Sequence, residues 1–156
     1  MVDSSSALRQ AGLRVTAQRR AVLTALQGAA HPTAAEIASR LVDLPVGIAS
    51  EVSRQGLYNV LDDLTRVGLV RRIEPAGSAT RYELPSGDNH HHLVCRTCGR
   101  IEDVACAIGA APCLDLPNGN LLDSKGFLIT EAEITWWGEC AECATSSPLP
   151  TEGAVA

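Results

Sequence analysis

The chain has 156 residues, of which 46% are hydrophobic and 20% are charged, and its formal net charge is −5. This length allows one domain or two small ones, and the absence of any run of about 18 apolar residues argues against a membrane-spanning helix. The first residues contain no basic segment followed by an apolar stretch, so no secretory signal is expected. We therefore expect a cytoplasmic protein, in which six cysteines indicate metal or redox chemistry rather than stabilising disulfides.

The charge is divided unevenly along the chain. Residues 1–87 carry ten arginines against eight acidic residues, whereas residues 88–156 carry three basic against ten acidic residues. All six cysteines and three of the four histidines lie in the acidic part. This division predicts a module for an anionic partner over residues 1–85 and a cation-binding module over residues 88–145. A turn-forming linker separates them, and residues 146–156 are expected to form a disordered tail.

The first module begins with two predicted helices and continues into two more. A short helix carries Leu8 and ends at Gly12, and a second begins after Thr16 and ends near Gly28. Residues 43–52 contain a proline and a glycine and are interpreted as a loop between the third and fourth helices.

The third and fourth helices have clear start signals. Thr33 and Glu36 have the spacing of a capping box, and the predicted inward face of the third helix contains Ile37, Ala38, Leu41 and Val42. The fourth helix is expected to begin at Ser53 and to end at Gly68. Its predicted buried face contains Leu57, Val60, Leu61, Leu64 and Val67.

A hairpin follows the four helices. Residues 69–73 and 80–84 have the composition of strands, and Pro75 to Ser78 between them form a turn. Helices followed by a basic two-stranded hairpin are typical of a winged helix-turn-helix, in which the fourth helix would enter the major groove of DNA. The sequence therefore predicts a double-stranded DNA partner.

Polar side chains on the fourth helix are candidate DNA contacts. Arg54, Gln55, Tyr58 and Asn59 project from one side of the helix near its start, where such residue types can bind base edges or phosphates. Further candidates for phosphate contacts are Arg14, Arg19 and Arg20 before the wing, and Arg71, Arg72 and Arg81 on it. The alternative is an ordinary solvated helix face.

Two Cys-x-x-Cys pairs dominate the second module. Cys95 and Cys98 form one pair, and Cys140 and Cys143 form the other. Each tight turn can direct two thiolates at one ion, so the two pairs predict a tetrahedral structural Zn(II) site. Surface thiols or disulfides are the alternatives. A separate possibility is a thiol–disulfide redox protein.

A second metal site is predicted from a histidine cluster. If residues 89–95 form a strand, His90 and His92 point to the same face. A hairpin centred between Cys95 and Cys98 would place Asp103 opposite His90, so that two imidazoles and a carboxylate can share one ion. His31 and Glu83 lie in the other module; if they join this set, the ion would link the two modules as an allosteric switch. An exposed polar cluster is the alternative.

These residues together resemble the ferric uptake regulator (Fur) family of metal-dependent repressors. The matching stretches run in family order over about residues 8–143. They are Gly12 to Thr16 with Arg19, His31 to Ala34 with Glu36 and Ile37, Leu57 to Leu61 with Gly68 to Val70, Arg81 to Glu83, His90 to His92 with Cys95 and Cys98, and Trp137 to Cys140.

The resemblance implies a fold and a set of ligands. It implies a homodimer of α+β class, with an N-terminal winged helix and a small C-terminal α/β dimerisation domain. It implies structural zinc at the four paired cysteines and a regulatory ion held by His31, Glu83, His90, His92 and Asp103. The expected function is repression of transcription from an operator with two half-sites, and not catalysis. Ligand type is compatible with Fe(II), Mn(II), Zn(II) or Ni(II), and Fe(II) is the expected regulatory ion.

A few positions indicate the subtype. Asp103 and Asn59 resemble the peroxide-sensing branch, Glu83 matches iron sensors, and the segment from Cys106 to Cys113 resembles the FurA-type branch. Control of oxidative-stress or iron-homeostasis genes is therefore expected, and a zinc- or nickel-sensing regulator of the same architecture is the alternative. The resemblance to the peroxide-sensing branch implies that peroxide is sensed through a histidine ligand. A competing sensor is the pair Cys106 and Cys113, because nearby thiols can form a disulfide; packing as small apolar residues is the alternative role for these two cysteines.

Overall fold

The chain folds into two compact units, which we call the first unit (Met1–Gly87) and the second unit (Asp88–Ala156). A computed structural model describes residues 3–45, 52–87, 90–106, 126 and 134–145. Its helices are α1 (Ser4–Gln10), α2 (Ala17–Leu26), α3 (Ala34–Val42), α4 (Arg54–Arg66) and α5 (Ala141–Ala144). Its strands are β1 (Arg71–Ile73), β2 (Arg81–Glu83), β3 (His90–Cys95), β4 (Ile101–Ala105) and β5 (Thr135–Gly138).

Side-chain caps define where the helices of the first unit begin. Thr16 caps α2, and Ser53 caps α4 by accepting a hydrogen bond from a backbone N–H of the first turn. At α3 the Thr33 hydroxyl accepts from the Glu36 N–H at 3.3 Å, and the Glu36 carboxylate accepts from the Thr33 N–H at 2.6 Å. The predicted capping box is therefore confirmed.

One apolar cluster holds the first unit together. It joins α1 through α4 to the segment after α4 and to β2, and its members include Leu8, Val22, Leu26, Ile37, Leu41, Leu57, Leu61, Leu64, Val70 and Tyr82. The predicted inward positions Ala38 and Val42 are wrong: Ala38 is exposed and Val42 is 83% exposed. The buried stripe of α3 consists of Ala34, Ile37 and Leu41, and at about 100° per residue Ala38 and Val42 lie to one side of it.

The end of α4 shows a smaller difference from the expectation. Val67 is the C-terminal cap residue and is half-buried rather than a core residue. Gly68 follows with a φ of +73°, the left-handed conformation in which glycine terminates helices without a steric penalty.

The wing is a short antiparallel hairpin. Strands β1 and β2 pair Arg71 with Glu83, Arg72 with Tyr82 and Ile73 with Arg81. Each strand has three residues, which is shorter than the sequence pattern predicts, and the turn is closed by a hydrogen bond from the Ser78 N–H to the Pro75 carbonyl at 3.0 Å. The predicted winged helix is confirmed in its element order.

The second unit is built on a three-stranded sheet in the order β4-β3-β5. The central strand β3 pairs antiparallel with β4 and parallel with β5, and Cys95 lies opposite Gly138. The parallel pairing brings the second cysteine pair, at the start of α5, beside the first. The expected C-terminal tail, residues 146–156, lies outside the described residues.

The register of the β3–β4 hairpin differs from the expected one. Asp103 lies opposite His92 and not His90, which shifts the pairing by two residues. The turn from Cys95 to Arg100, which joins β3 to β4, is closed by two hydrogen bonds of 2.9 Å. The Cys95 N–H donates to the Arg100 carbonyl, and the Gly99 N–H donates to the Cys95 carbonyl. Because side chains alternate with a period of two residues, this shift leaves Asp103 on the face that carries both histidines.

Among the described residues, no helix is both long and apolar enough to cross a lipid bilayer.

Candidate metal centres and nucleic-acid interface

Four cysteines converge in the second unit. The Sγ atoms of Cys95, Cys98, Cys140 and Cys143 all lie within 4.8 Å of one another, and the Cys98 and Cys140 sulfurs are 3.7 Å apart. Four thiolates about 2.3 Å from a tetrahedral Zn(II) would be separated by about 3.8 Å. The donor set and its spacing fit a structural Zn(II) site, and the four residues are those predicted from the sequence.

The thiols of this cluster have strongly perturbed pKa values. Backbone N–H groups of Cys140 and Cys98 lower the pKa of the Cys95 thiol to about 6. Hydrogen bonding with the Cys140 and Cys98 side chains raises the pKa of the Cys143 thiol to about 12. Four adjacent thiolates repel one another without a cation, so a positive ion between them is the arrangement that this cluster favours.

Several contacts hold the two cysteine pairs in place. The Arg96 N–H donates to the Gly138 carbonyl at 2.9 Å, and the Arg96 guanidinium lies 4.9 Å from the centre of a Trp137 ring. The Thr97 hydroxyl donates to Glu139 at 3.1 Å. These contacts were not predicted from the sequence, because each joins residues about 40 positions apart that only the β3–β5 pairing brings together.

The histidine cluster occupies one face of the same sheet. His90 and His92 on β3 each place Nε2 3.7 Å from Oδ1 of Asp103 on β4. Their imidazole side chains are 6% and 3% exposed, and their ring centroids are 5.2 Å apart. Ligands about 2.1 Å from one cation lie roughly 3.0–3.4 Å apart, so small side-chain adjustments would bring these three groups to ligand spacing.

His91 lies on the opposite face of the sheet, as the strand pattern predicts. Its ring packs edge-on against Trp136, with ring centroids 5.4 Å apart. His91 is therefore a packing residue on the face away from Asp103.

In the first unit, His31 and Glu83 form a buried pair. His31 Nε2 lies 2.9 Å from Glu83 Oε2, and the two side chains are 4% and 8% exposed. His31 has a φ of +46°, a left-handed conformation that is uncommon for a residue other than glycine. Strain of this kind persists only where the surroundings enforce it and is concentrated at functional sites.

Two arginines of the wing hold the His31–Glu83 pair. Arg81 Nη1 donates to the His31 carbonyl at 2.9 Å and lies 3.6 Å from Oε2 of Glu36. Arg71 Nη1 donates to Glu83 Oε1 at 3.2 Å. The sequence pattern predicts phosphate contacts for both arginines, and the structure adds these protein partners. Opposite charges on the two strands of a predicted hairpin were the available signal for the Arg71–Glu83 pair.

The predicted base-reading side chains share an exposed face of α4. Arg54, Gln55, Tyr58 and Asn59 are all exposed, and Tyr58 is 41% exposed. Gln55 Nε2 donates to Asn59 Oδ1 at 2.9 Å, as expected for polar residues four positions apart on a helix. All four side chains are therefore accessible to solvent on the surface of the first unit.

The other predicted DNA contacts differ in their surroundings. Arg14 is exposed in the loop before α2, and Arg72 on β1 pairs with Glu74 at 3.2 Å. Arg19 is 18% exposed and pairs with Asp63 of α4 at 2.7 Å, so its guanidinium has an internal partner.

The two candidate redox thiols are only partly described. Cys106 is half-buried at the end of β4. Cys113 lies outside the described residues.

Comparison with known proteins agrees with the resemblance seen in the sequence. Residues 10–112 match the model of the ferric uptake regulator family. Transcriptional regulator FurA of Mycobacterium tuberculosis is 48% identical over 145 residues, which are 92% of each chain. The peroxide-responsive repressor PerR of Staphylococcus aureus is 31% identical over 148 residues, covering 90% of this chain and 89% of that protein.

A solved structure supports the same assignment. The Vibrio cholerae ferric uptake regulator superposes with a TM-score of 0.66 at 26% identity, over 88% of this chain and all of that one. Regulators of this family are not enzymes; they bind DNA and act as dimers. The chain therefore belongs to the ferric uptake regulator family of metal-responsive transcriptional regulators.

Proposed function

We propose that this chain represses transcription by binding duplex DNA as a homodimer when a divalent cation occupies a regulatory site. The observation that supports the site most strongly is the arrangement of His90, His92 and Asp103 on one sheet face, with both Nε2–Oδ1 distances 3.7 Å. We further propose that His31 and Glu83 complete the ligand set. A cation with ligands from both units would favour one arrangement of them, which is the requirement for allosteric control.

The regulatory ion in this proposal is Fe(II), with Mn(II) or Zn(II) able to replace it. Imidazole and carboxylate ligands suit Fe(II), Mn(II), Zn(II) and Ni(II) alike, so ligand chemistry by itself leaves the order of preference to measurement. A zinc- or nickel-sensing regulator of the same architecture is the alternative. The thiol–disulfide alternative has less support, because the four clustered sulfurs have the spacing of a metal site.

The proposed DNA interface is the exposed face of α4. In a dimer, two copies of this helix would read two half-sites of an operator, with Arg54, Gln55, Tyr58 and Asn59 at the base edges. Arg14, Arg71 and Arg72 are proposed as phosphate contacts. Arg19 is proposed to position α4 through Asp63 rather than to contact DNA.

The proposed signal is peroxide, and the proposed compartment is the cytoplasm, where the cysteines remain reduced. The similarity to a peroxide-responsive repressor and the presence of Asp103 beside two histidines support this signal. Oxidation of a histidine ligand would weaken cation binding and release the DNA. A response through Cys106 and Cys113 is the alternative.

The deciding experiment is a DNA-binding titration of the zinc-containing protein. A duplex is first selected from random sequence with the Mn(II)-loaded protein, and its affinity is then measured with Fe(II), Mn(II), Zn(II) and Ni(II), each with and without peroxide. We expect metal-dependent binding that is lost in Asp103→Ala, while the four-cysteine zinc is retained. Glu102→Ala is the matched control, because Glu102 is the adjacent acid of β4 and pairs with Arg100.

The outcomes separate the proposal from its alternatives. Binding that is equally tight without added metal would contradict the proposed function. Metal-dependent binding that survives in Asp103→Ala would contradict the assignment of Asp103. A response to Zn(II) or Ni(II) at concentrations where Fe(II) has no effect would favour the alternative sensor.

A further inference from the structure

The carboxylate of Glu83 is shared between two partners in the first unit. Its Oε2 lies 2.9 Å from His31 Nε2, and its Oε1 accepts a hydrogen bond from Arg71 Nη1 at 3.2 Å. Arg71 and Glu83 lie directly opposite each other in the β1–β2 ladder, so the backbone holds them together. The proposed metal ligand thus already has a cationic partner on the wing.

The burial of this pair differs strongly between its two members. The Glu83 side chain is 8% exposed, whereas the Arg71 side chain is 40% exposed. A charge as buried as that of Glu83 needs a compensating partner. The half-exposed guanidinium of Arg71 is able to pair with a phosphate instead, because carboxylate and phosphate oxygens both match its geometry.

A divalent cation on Glu83 would change the balance between these partners. The cation would supply the positive charge that the carboxylate requires, and it would repel the guanidinium next to it. The attraction of Arg71 to Glu83 is then weaker, and its attraction to an anionic DNA backbone becomes relatively stronger.

We propose that Arg71 couples the regulatory cation to DNA by exchanging Glu83 for a DNA phosphate. Without the cation, Arg71 pairs with Glu83; with the cation bound, Arg71 pairs with the phosphate. The coupling is reciprocal, so a phosphate that draws Arg71 away from Glu83 increases the affinity of the site for the cation. This inference rests on the proposed function, because it requires Glu83 to be a ligand of the regulatory ion.

The adjacent residue provides a matched control. Arg72 lies on the same strand with its side chain on the other face, is 42% exposed, and pairs with Glu74 at 3.2 Å. Glu74 is 59% exposed and belongs to neither candidate metal centre. Arg72 therefore has the charge and nearly the exposure of Arg71, but its ion-pair partner is Glu74 rather than Glu83.

The first measurement is Mn(II) affinity in the absence of DNA, on zinc-containing wild-type protein and on Arg71→Gln, Arg71→Lys and Arg72→Gln. Loss of a repelling charge beside the ligand should make Arg71→Gln bind Mn(II) about three- to tenfold more tightly. We expect Arg72→Gln and Arg71→Lys to remain within about twofold of wild type, since both retain a cation beside Glu83. Circular dichroism checks that each variant is folded.

The second measurement is the ratio of DNA affinities with and without Mn(II), on the duplex selected as above. In DNA-bound protein Arg71 has already left Glu83, so Arg71→Gln should leave the Mn(II) affinity of that complex unchanged. Linkage then requires the ratio to shrink by the factor by which the Mn(II) affinity of the DNA-free protein rises. Arg72→Gln should bind DNA more weakly than wild type both with and without Mn(II). The ratio of its two DNA affinities should equal the wild-type ratio.

The outcomes distinguish this inference from the proposed function. If the DNA affinity of the wild-type protein is the same with and without Mn(II), the proposed function itself is contradicted. If wild type responds, then an Arg71→Gln protein with unchanged or weaker Mn(II) affinity, or with an unchanged ratio, overturns the role of Arg71. An Arg71→Lys protein that behaves like Arg71→Gln overturns it as well, because the argument depends on charge.

Discussion

Arg19 Nη2 lies 2.7 Å from Oδ2 of Asp63, a contact that joins the first turn of α2 to the second half of α4. The other terminal nitrogen of Arg19 donates to the Arg14 carbonyl at 2.8 Å, and Asp63 also accepts from Arg66. One guanidinium therefore connects the loop that carries Arg14 with the helix proposed to read DNA. This contact adds a polar link between two candidate DNA-binding elements that the apolar cluster of the first unit already holds together.

Arg19→Gln is expected to weaken DNA binding without removing a phosphate contact. Removal of the ion pair and of the hydrogen bond to Arg14 should lower the free energy of unfolding by about 1 kcal/mol. The slope of log affinity against log salt should stay at the wild-type value, whereas Arg14→Gln should reduce it by about 0.9 for each phosphate that the variant no longer neutralises. Equal reductions of the slope in both variants would show that Arg19 contacts a phosphate.

The same ion pair predicts a dependence of stability on pH. The hydrogen bond from Arg19 holds the pKa of Asp63 below its usual value. A carboxylate whose pKa is lower in the folded state stabilises the protein above its unfolded pKa of about 3.9, and this contribution is lost as the pH falls through the folded value.

Denaturant titrations of wild type and Asp63→Asn at several pH values test this dependence. The difference in unfolding free energy should be constant near neutral pH and should shrink as the pH falls below about 4. Asp62→Asn is the matched control, because it removes the adjacent exposed carboxylate and leaves the Arg19–Asp63 pair in place. A difference for Asp63→Asn that persists at the lowest pH would contradict the assigned cause.

Removal of one cysteine of the cluster is expected to abolish its zinc. Cys98→Ser leaves three thiolates, and because metal binding contributes directly to folding free energy, the second unit should lose cooperative unfolding as well. Metal content measured by mass spectrometry after dialysis checks the first effect, and near-ultraviolet circular dichroism of the tryptophan region checks the second. Cys106→Ser should retain the metal; zinc loss there would mean that the ligand set is wrong.

Peroxide treatment of the Fe(II)-loaded protein is expected to oxidise a ligand histidine. A peptide containing His31 or His90 to His92 should gain the mass of one oxygen atom, and affinity for the selected duplex should fall in parallel. The proposed histidine route predicts that Cys106→Ser responds as fully as wild type. Loss of the response in Cys106→Ser, with no mass change on the histidine peptides, would instead support the thiol route.

Local patterns were sufficient to predict much of the fold and the zinc site. The capping box at Thr33 and the helix start after Thr16 are found as predicted, and the helix expected to begin at Ser53 begins one residue later with Ser53 as its cap, because a helix start depends on residues within one turn. The two Cys-x-x-Cys pairs predicted the four-cysteine cluster, because such spacing directs two thiolates toward one point. Strand alternation likewise put Asp103 on the face of His90 and His92, even though the expected register was two residues off.

The sequence by itself determined the helix starts, the face of each strand and the types of metal ligand, since all of these depend on short-range periodicity and donor chemistry. Only the tertiary structure decided which charges meet. Arg19 pairs with Asp63 across 44 positions, and Arg71 pairs with Glu83 across the wing. Such partners are chosen by how helices and strands pack, because a long flexible side chain can satisfy its charge with any opposite group that packing brings within reach.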